Sequence, residues 1–277
     1  MASELRLPEF ERPPVVETVL SVRFRETAGL TTASIVQFWE SELARDFPEV
    51  AEQAPYSALI EHLGQDAPSG GFPIQLETGF PSPRFWFKGG AELVQLQPDW
   101  FAYNWRQTNP DDEYVRYAHT RARFADVLDK LRSFVEQRGG KLEPVQCEVT
   151  YVNHIVLEDD DLALGPLGNV LKGVSTHVDR QLPIAESARF ATSYLMREPS
   201  TGQALGRLHV VAESARLGAD RRPAILLNIT ARGRPRGSSL EDTLDFCDLG
   251  RAWVVNGFKD LTTTPMHARW GLKEDHQ

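Results

Sequence analysis

The run LVQLQPDWFAYNWR, residues 93–106, decides how the rest of the chain is read. Val94, Leu96, Phe101 and Tyr103, with Trp100 and Trp105, supply the bulky side chains that pack well on a pleated surface. Gln95 and Gln97 alternate with Val94 and Leu96, which predicts a central strand with one face wetter than the other. The run sits at the end of a series of short β-like segments, SALIEHL, PIQLETGF and PRFWFKG, separated by SGG, PSP and KGG. Such punctuation predicts an antiparallel meander from Tyr56 to Arg106.

Working outward, VVETVLSVRF from Val15 is β-branched and reads as a strand. Thr31 or Thr32 can cap a helix to about Arg45, with Ile35, Trp39 and Leu43 on one stripe. A second helix is predicted from about Tyr117 to Gln137, stopped by Gly139-Gly140, with Phe124, Leu128, Leu131 and Val135 on its buried face. Then the pattern begins again. Glu148 opens EVTYVNHIVL much as Glu17 opens ETVLSVRFRE, and ILLNITA from Ile225 echoes LVQLQPD at a nearly equal offset. Between them lie a short helical candidate, LGNVLKG, and the strands ARFATSYLM and LGRLHVVAE; Ser238 and Glu241 then form a capping box for a last helix.

The expected fold is therefore α+β: two pseudo-repeated β-α-βββ-α units sharing an extended curved antiparallel sheet, with long helices on one face. That element order is like the TATA-binding protein or the helix-grip folds. The corresponding divisions are a lead-in over residues 1–14, halves at 15–145 and 146–265, and a tail at 266–277.

With 277 residues, 41% hydrophobic and 25% charged, the composition is that of a globular protein able to bury a sizeable core. A net charge of -9 disfavours nucleic acid and anionic membranes unless a basic site is local. The N-terminal residues lack a long apolar run and no segment approaches a membrane span, and Cys147 and Cys247 form no disulfide framework or zinc spacing. A cytoplasmic setting is expected.

Four runs, RPPVVETVLSVRF from Arg12, VQLQPDWFAYNWR from Val94, TYVNHI from Thr150 and FKDLTT from Phe258, together resemble an uncharacterised, sporadically distributed prokaryotic family of about this length. The resemblance implies a prokaryotic source and a cytosolic setting. It brings no catalytic residue with it.

Candidate chemistry is sparse. The aromatic cluster Phe85, Trp86, Phe87, Trp100, Phe101, Tyr103 and Trp105 is either core or a stacking platform, and Trp105 beside Arg106 is the expected exposed pair. Asn153 and His154 point to opposite sides of one strand, and His154 becomes a candidate acid or base if Glu17, Glu77 or Glu148 orients it. The dispersed histidines offer no HxH or HExxH frame, and the acidic run from Glu158 to Asp161 lacks the alternation of a calcium loop, so neither metal nor cofactor is expected.

Arginines 216, 221, 222, 232, 234 and 236 make a basic segment against the global charge. Its last three, Arg232, Arg234 and Arg236, lead into the final helix, where an anion is favoured. No Walker loop, GxGxxG or GxSxG frame occurs.

These readings favour a binding or adaptor protein over an enzyme. It would act through an aromatic and arginine surface, with Trp86, Trp105, Arg106, Asn153, Arg232, Arg234 and Arg236 contacting a protein partner or an anionic small ligand. The alternatives are a small-molecule enzyme with a pocket between sheet and helices, using His154 and an arginine such as Arg23 or Arg232, and a nucleotide or nucleic-acid site on the basic segment. A homodimer would suit the open sheet edges.

Overall fold

The computed structural model describes the chain apart from residues 1–6, 26–28, 58, 64–81, 110–111, 159–166, 175–184, 186, 199–200 and 274–277. Nine strands are described: β1 Val15–Phe24, β2 Glu49–Gln53, β3 Arg84–Gly89, β4 Glu92–Gln97, β5 Trp100–Arg106, β6 Pro144–Val156, β7 Arg189–Arg197, β8 Ala204–Leu217 and β9 Arg222–Gly233. They form one antiparallel sheet in the order β2-β3-β4-β5-β1-β6-β9-β8-β7. The described helices are α1 Thr32–Phe38, α2 Tyr117–Glu136, α3 Leu240–Leu261 and α4 Thr264–Trp270.

The α+β class and the large antiparallel sheet match the sequence reading. The run at 93–106, however, is a tight hairpin and not one strand: Gln97 pairs with Trp100 across Pro98 and Asp99. Proline supplies no donor for a ladder, and Pro-Asp suits a turn. SALIEHL is not a strand where it is described. It crosses the sheet, with Leu59 and Ile60 exposed and Glu61 buried. PIQLETGF lies outside the described residues, and EVAEQ (β2) is an edge strand that the sequence reading missed.

Three helical expectations also change. α1 gives way to a π-helical turn over Trp39–Leu43. LGNVLKG is a turn bridged to the end of α3 through Leu171 and Thr262, because Gly168 and Gly173 interrupt so short a segment and Gly173 takes a positive φ. The cap of α3 is Ser239 with Asp242, one residue beyond the predicted box. No described helix is long and apolar enough to cross a membrane.

The period of two sets the faces of the sheet. Phe101 of β5 meets Phe124 of α2 at 5.4 Å between ring centres, so Phe101, Tyr103 and Trp105 lie on the covered side. Leu20 pairs with Tyr103 and with Val149, which continues this side into β6. There α3 approaches closely: a Cβ placed on Gly250 would lie 2.9 Å from Val149 Cγ2 and 3.3 Å from Ala231 Cβ.

That contact gives a test of how tightly α3 is seated. Overpacking typically costs about 1–3 kcal/mol. Gly250→Leu is expected to lower the free energy of urea unfolding by about that amount despite leucine's better helix propensity. An unchanged unfolding midpoint would mean that α3 does not lie this close to the sheet.

Candidate functional site

The side of the sheet away from α2 and α3 carries a continuous polar surface. Register places Arg84, Trp86 and Lys88 of β3, Gln95 and Gln97 of β4, Trp100, Asn104 and Arg106 of β5, and Glu17 and Arg23 of β1 on this face. Gln146 and Glu148 of β6, Arg232 of β9, and Arg207 and His209 of β8 continue it.

A hydrogen-bond relay crosses four strands. Trp86 Nε1 donates to Gln95 Oε1 at 2.9 Å, Gln95 Nε2 to Asn104 Oδ1 at 2.8 Å, and Asn104 Nδ2 to Glu17 Oε1 at 2.6 Å. Burial raises the Glu17 carboxyl above its ordinary value, against the hydrogen bond from Asn104 and the charge of Arg106. The relay fixes the Trp86 ring, and three cations surround it: Arg84 at 5.6 Å, Arg106 at 5.8 Å and Lys88 at 5.9 Å from the ring centre.

Residues 54–57 and 59–63 lie over the same face. The backbone of Tyr56 exchanges hydrogen bonds with the Gln97 amide, and its ring stacks at 4.8 Å on Trp100. Arg23 and Arg84 each lie 5.9 Å from the Tyr56 ring centre. Farther along, the Gln146 amide holds the Leu59 carbonyl and the Glu61 N–H at 2.7 and 2.8 Å.

Glu61 then receives Arg207 at 2.6 Å and His209 at 2.7 Å. Burial would raise this carboxyl, but the hydrogen bonds from His209 and Arg207 outweigh it and hold the pKa at about 2. Arg232 Nε lies 2.9 Å from Glu148.

Arg23, Arg84 and Arg106 are not saturated among the described residues, Arg106 through a buried Nε. Arg23 is 4% exposed and pairs with Asp99 through Nη1, yet its Nε and Nη2 meet no acceptor among the described residues. Arg84, whose Nε is likewise buried without an acceptor, has no carboxylate within 4.0 Å among them. A buried guanidinium N–H without an acceptor loses its hydration uncompensated, and an oxoanion with two acceptor oxygens restores it best.

The predicted site residues divide between the two sides. Trp86, Arg106 and Arg232 share the polar face. Trp105 does not: it is 2% exposed and packs edge-on to Tyr114 at 5.4 Å. Adjacent strand residues point to opposite sides, so Trp105 and Arg106 cannot form one exposed pair. Asn153 is buried on the covered side, where it lines a cavity. His154 is on the polar face and its pKa is lowered by burial, but it meets no carboxylate among the described residues.

The six arginines of the basic segment do not converge either. Arg216, Arg221 and Arg222 are exposed at the β8–β9 hairpin tip, and Arg232 lies ten residues up β9, roughly 33 Å away at the rise of a strand. Arg234 is exposed beyond the strand and Arg236 pairs with Glu198. Sequence reasoning missed Arg84 and Lys88, although RFWFK alternates charge and aromatic at the period of a strand. It had no signal for Tyr56 or Glu61, which reach the sheet only by a chain crossing.

Two measurements check this geometry. Trp105→Ala is expected to cost about 3–5 kcal/mol of stability, the value for a core aromatic and not for a surface residue. Glu61→Gln is expected to cost up to about 2 kcal/mol at neutral pH, discounting for solvent screening. Because the folded carboxyl titrates at about 2 and not near 4.5, the difference from wild type should be complete above pH 4.5 and shrink as pH falls toward 2. A pH-independent difference would remove the ion pair from the account. No family model matches the chain and no curated protein is significantly similar to it.

Proposed function

We propose that the protein binds an anionic ligand on the open side of its sheet, at the arginines grouped round Tyr56 and Trp86. The observation that carries this reading is Arg23, buried to 4% exposure with two nitrogen positions lacking an acceptor among the described residues, beside the carboxylate-free Arg84. Phosphate and carboxylate both offer paired oxygen acceptors that a guanidinium binds in a bidentate fashion, and Tyr56, Trp86 and Trp100 flank the charge with ring surface for a small organic body. The polar relay beneath is already satisfied, so the ligand needs to compete with no internal bond of Trp86.

A binding role rather than catalysis is favoured because His154 lacks an orienting carboxylate among the described residues. A cytosolic, prokaryotic setting belongs to the same reading, supported by two buried free thiols and by the family resemblance. So does a homodimer, which the exposed Tyr194 and Leu195 of β7 would suit. The strand order also supports a duplicated architecture of the kind seen in the TATA-binding protein or helix-grip folds: β1 neighbours β5 as β6 neighbours β9, and the two opening strands pair with each other.

The probe is inorganic phosphate, titrated calorimetrically at constant ionic strength. Saturable binding is expected, with Arg84→Gln weakening it at least tenfold and Arg216→Gln at the distant hairpin tip leaving it unchanged. Equal weakening by both variants, or no saturable binding to the wild-type chain, would overturn the proposal.

A further inference from the structure

The covered side of the sheet holds a second feature, independent of the arginine face. Between β1, β6 and β9, the beginning of α2, and α3 lies a cavity of about 840 Å³. Small-molecule sites span roughly 300–1,000 Å³, and this one falls inside that range.

Its remaining wall is the N-terminal lead-in. Phe10 packs on Phe258 and Trp270, Arg116 donates to the Phe10 carbonyl at 3.1 Å, and Glu11 and Arg12 hydrogen-bond the carbonyls of Gly271 and Trp270. The cavity is thus a built part of the fold, with an apolar lining that includes Val15, Ile229, Val254 and Phe258.

The polar groups within it are unequally satisfied. Asp248 is taken up by the Tyr117 hydroxyl at 2.8 Å and Arg121 at 2.9 Å, and Glu9 by Lys273 at 2.8 Å. Arg251 has no carboxylate within 4.0 Å among the described residues; its guanidinium lies over the Tyr117 ring at 4.8 Å and interacts with the Tyr151 hydroxyl, neutral contacts that leave its charge uncompensated. With the acids engaged, the charge left to face a ligand is positive.

Asn153 is the second unspent group. It is 1% exposed, and its Nδ2 donates to the Leu227 carbonyl at 2.9 Å, which fixes the orientation of the amide. Oδ1 is then left with no donor among the described residues. A buried amide oxygen without a partner is costly in a strand, where Val or Ile would pack as well.

We propose that this cavity binds a small amphipathic organic anion, its carboxylate or sulfonate on Arg251, its apolar or aromatic body between the tyrosine and α3 walls, and a donor on Asn153 Oδ1. Tyr151 lines the same space, and burial, together with the neighbouring Tyr114, keeps its phenol well above the ordinary range and therefore neutral. It adds a hydroxyl without a competing negative charge.

The probes are 8-anilinonaphthalene-1-sulfonate, followed by its fluorescence, and decanoate as competitor. One saturable site per chain is expected, emptied by decanoate. Arg251→Gln, at a half-exposed position, is expected to weaken both at least tenfold while lowering the melting temperature by no more than the few degrees that loss of its contact with the Tyr117 ring explains. Val255→Trp should block the cavity, and Ala118→Trp does so from the exposed rim should the first variant fail to fold. Arg84→Gln, on the other side of the sheet, should bind the dye as wild type does. The proposal is overturned if the wild-type chain shows no saturable site, or if Arg251→Gln and Ala118→Trp bind the dye with wild-type affinity.

Discussion

The pairing of β1 with β6 is the constraint on which everything else in the molecule depends. Nine register pairs from Val15–Asn153 to Phe24–Pro144 join two runs of strand that lie far apart in the chain. Through them, the strands β2 to β5 on one flank and β7 to β9 on the other become one sheet. Long-range pairing of this kind carries a large loop-closure cost, so it must be repaid by burial. Leu20, Val22, Cys147 and Val149 repay it on the covered side, all of them wholly buried. On the other side the same two strands present Arg23, Gln146 and Glu148, which give up water without entering an apolar core.

That difference between faces explains the architecture of residues 54–57 and 59–63. An antiparallel sheet can leave one face in water and needs no cover there. Here, however, Arg23, Gln95, Gln97, Gln146 and Glu148 are buried on the side that none of the described helices covers. Tyr56 and Glu61 accompany them because the crossing chain delivers backbone groups to Gln97 and Gln146 and a carboxylate to Arg207 and His209. Low local dielectric strengthens such networks and penalises any member left out. Arg23 keeps two nitrogen positions and Arg84 its Nε without an acceptor among the described residues, which is why the proposed ligand is placed there and not at the solvated arginines of the hairpin tip.

Much of the scaffold was legible in the sequence. α2 could be read almost to the residue because its apolar stripe recurs at helical spacing and Gly139-Gly140 ends it. β6, β8 and β9 announced themselves through β-branched content, whereas β7 carries Thr192 alone and shows its strand character in Phe190 and Tyr194. The hairpin within residues 93–106 was hidden because the apolar alternation continues across Pro98 and Asp99, leaving only the turn dipeptide as a signal. LGNVLKG was misread for the opposite reason: its apolar spacing suits a helix, but it is too short to nucleate one against two glycines. The site was legible only in part. Trp86, Arg106 and Arg232 were identifiable by residue type, whereas the burial of Trp105 depends on which of two adjacent residues faces α2, and one residue of register reverses that answer.

Register also sets two unsatisfied centres on opposite sides of one pair of strands. Within β6, Tyr151 and Asn153 belong to the cavity side, and Thr150, Val152 and His154 to the polar side. Asn153 is therefore held by the ladder to β9 and cannot turn its amide toward the arginines. Arg23 is held in the same way by β1 against β5 and β6 and has no route to the cavity. Neither group can relieve the other by a rotamer change, because a sheet this thin still separates its faces by the full pleat. Each must find its partner on its own side. A strand is also the more exact platform for such groups, since its side-chain directions are fixed by hydrogen bonds on both edges and not by a loop's own packing.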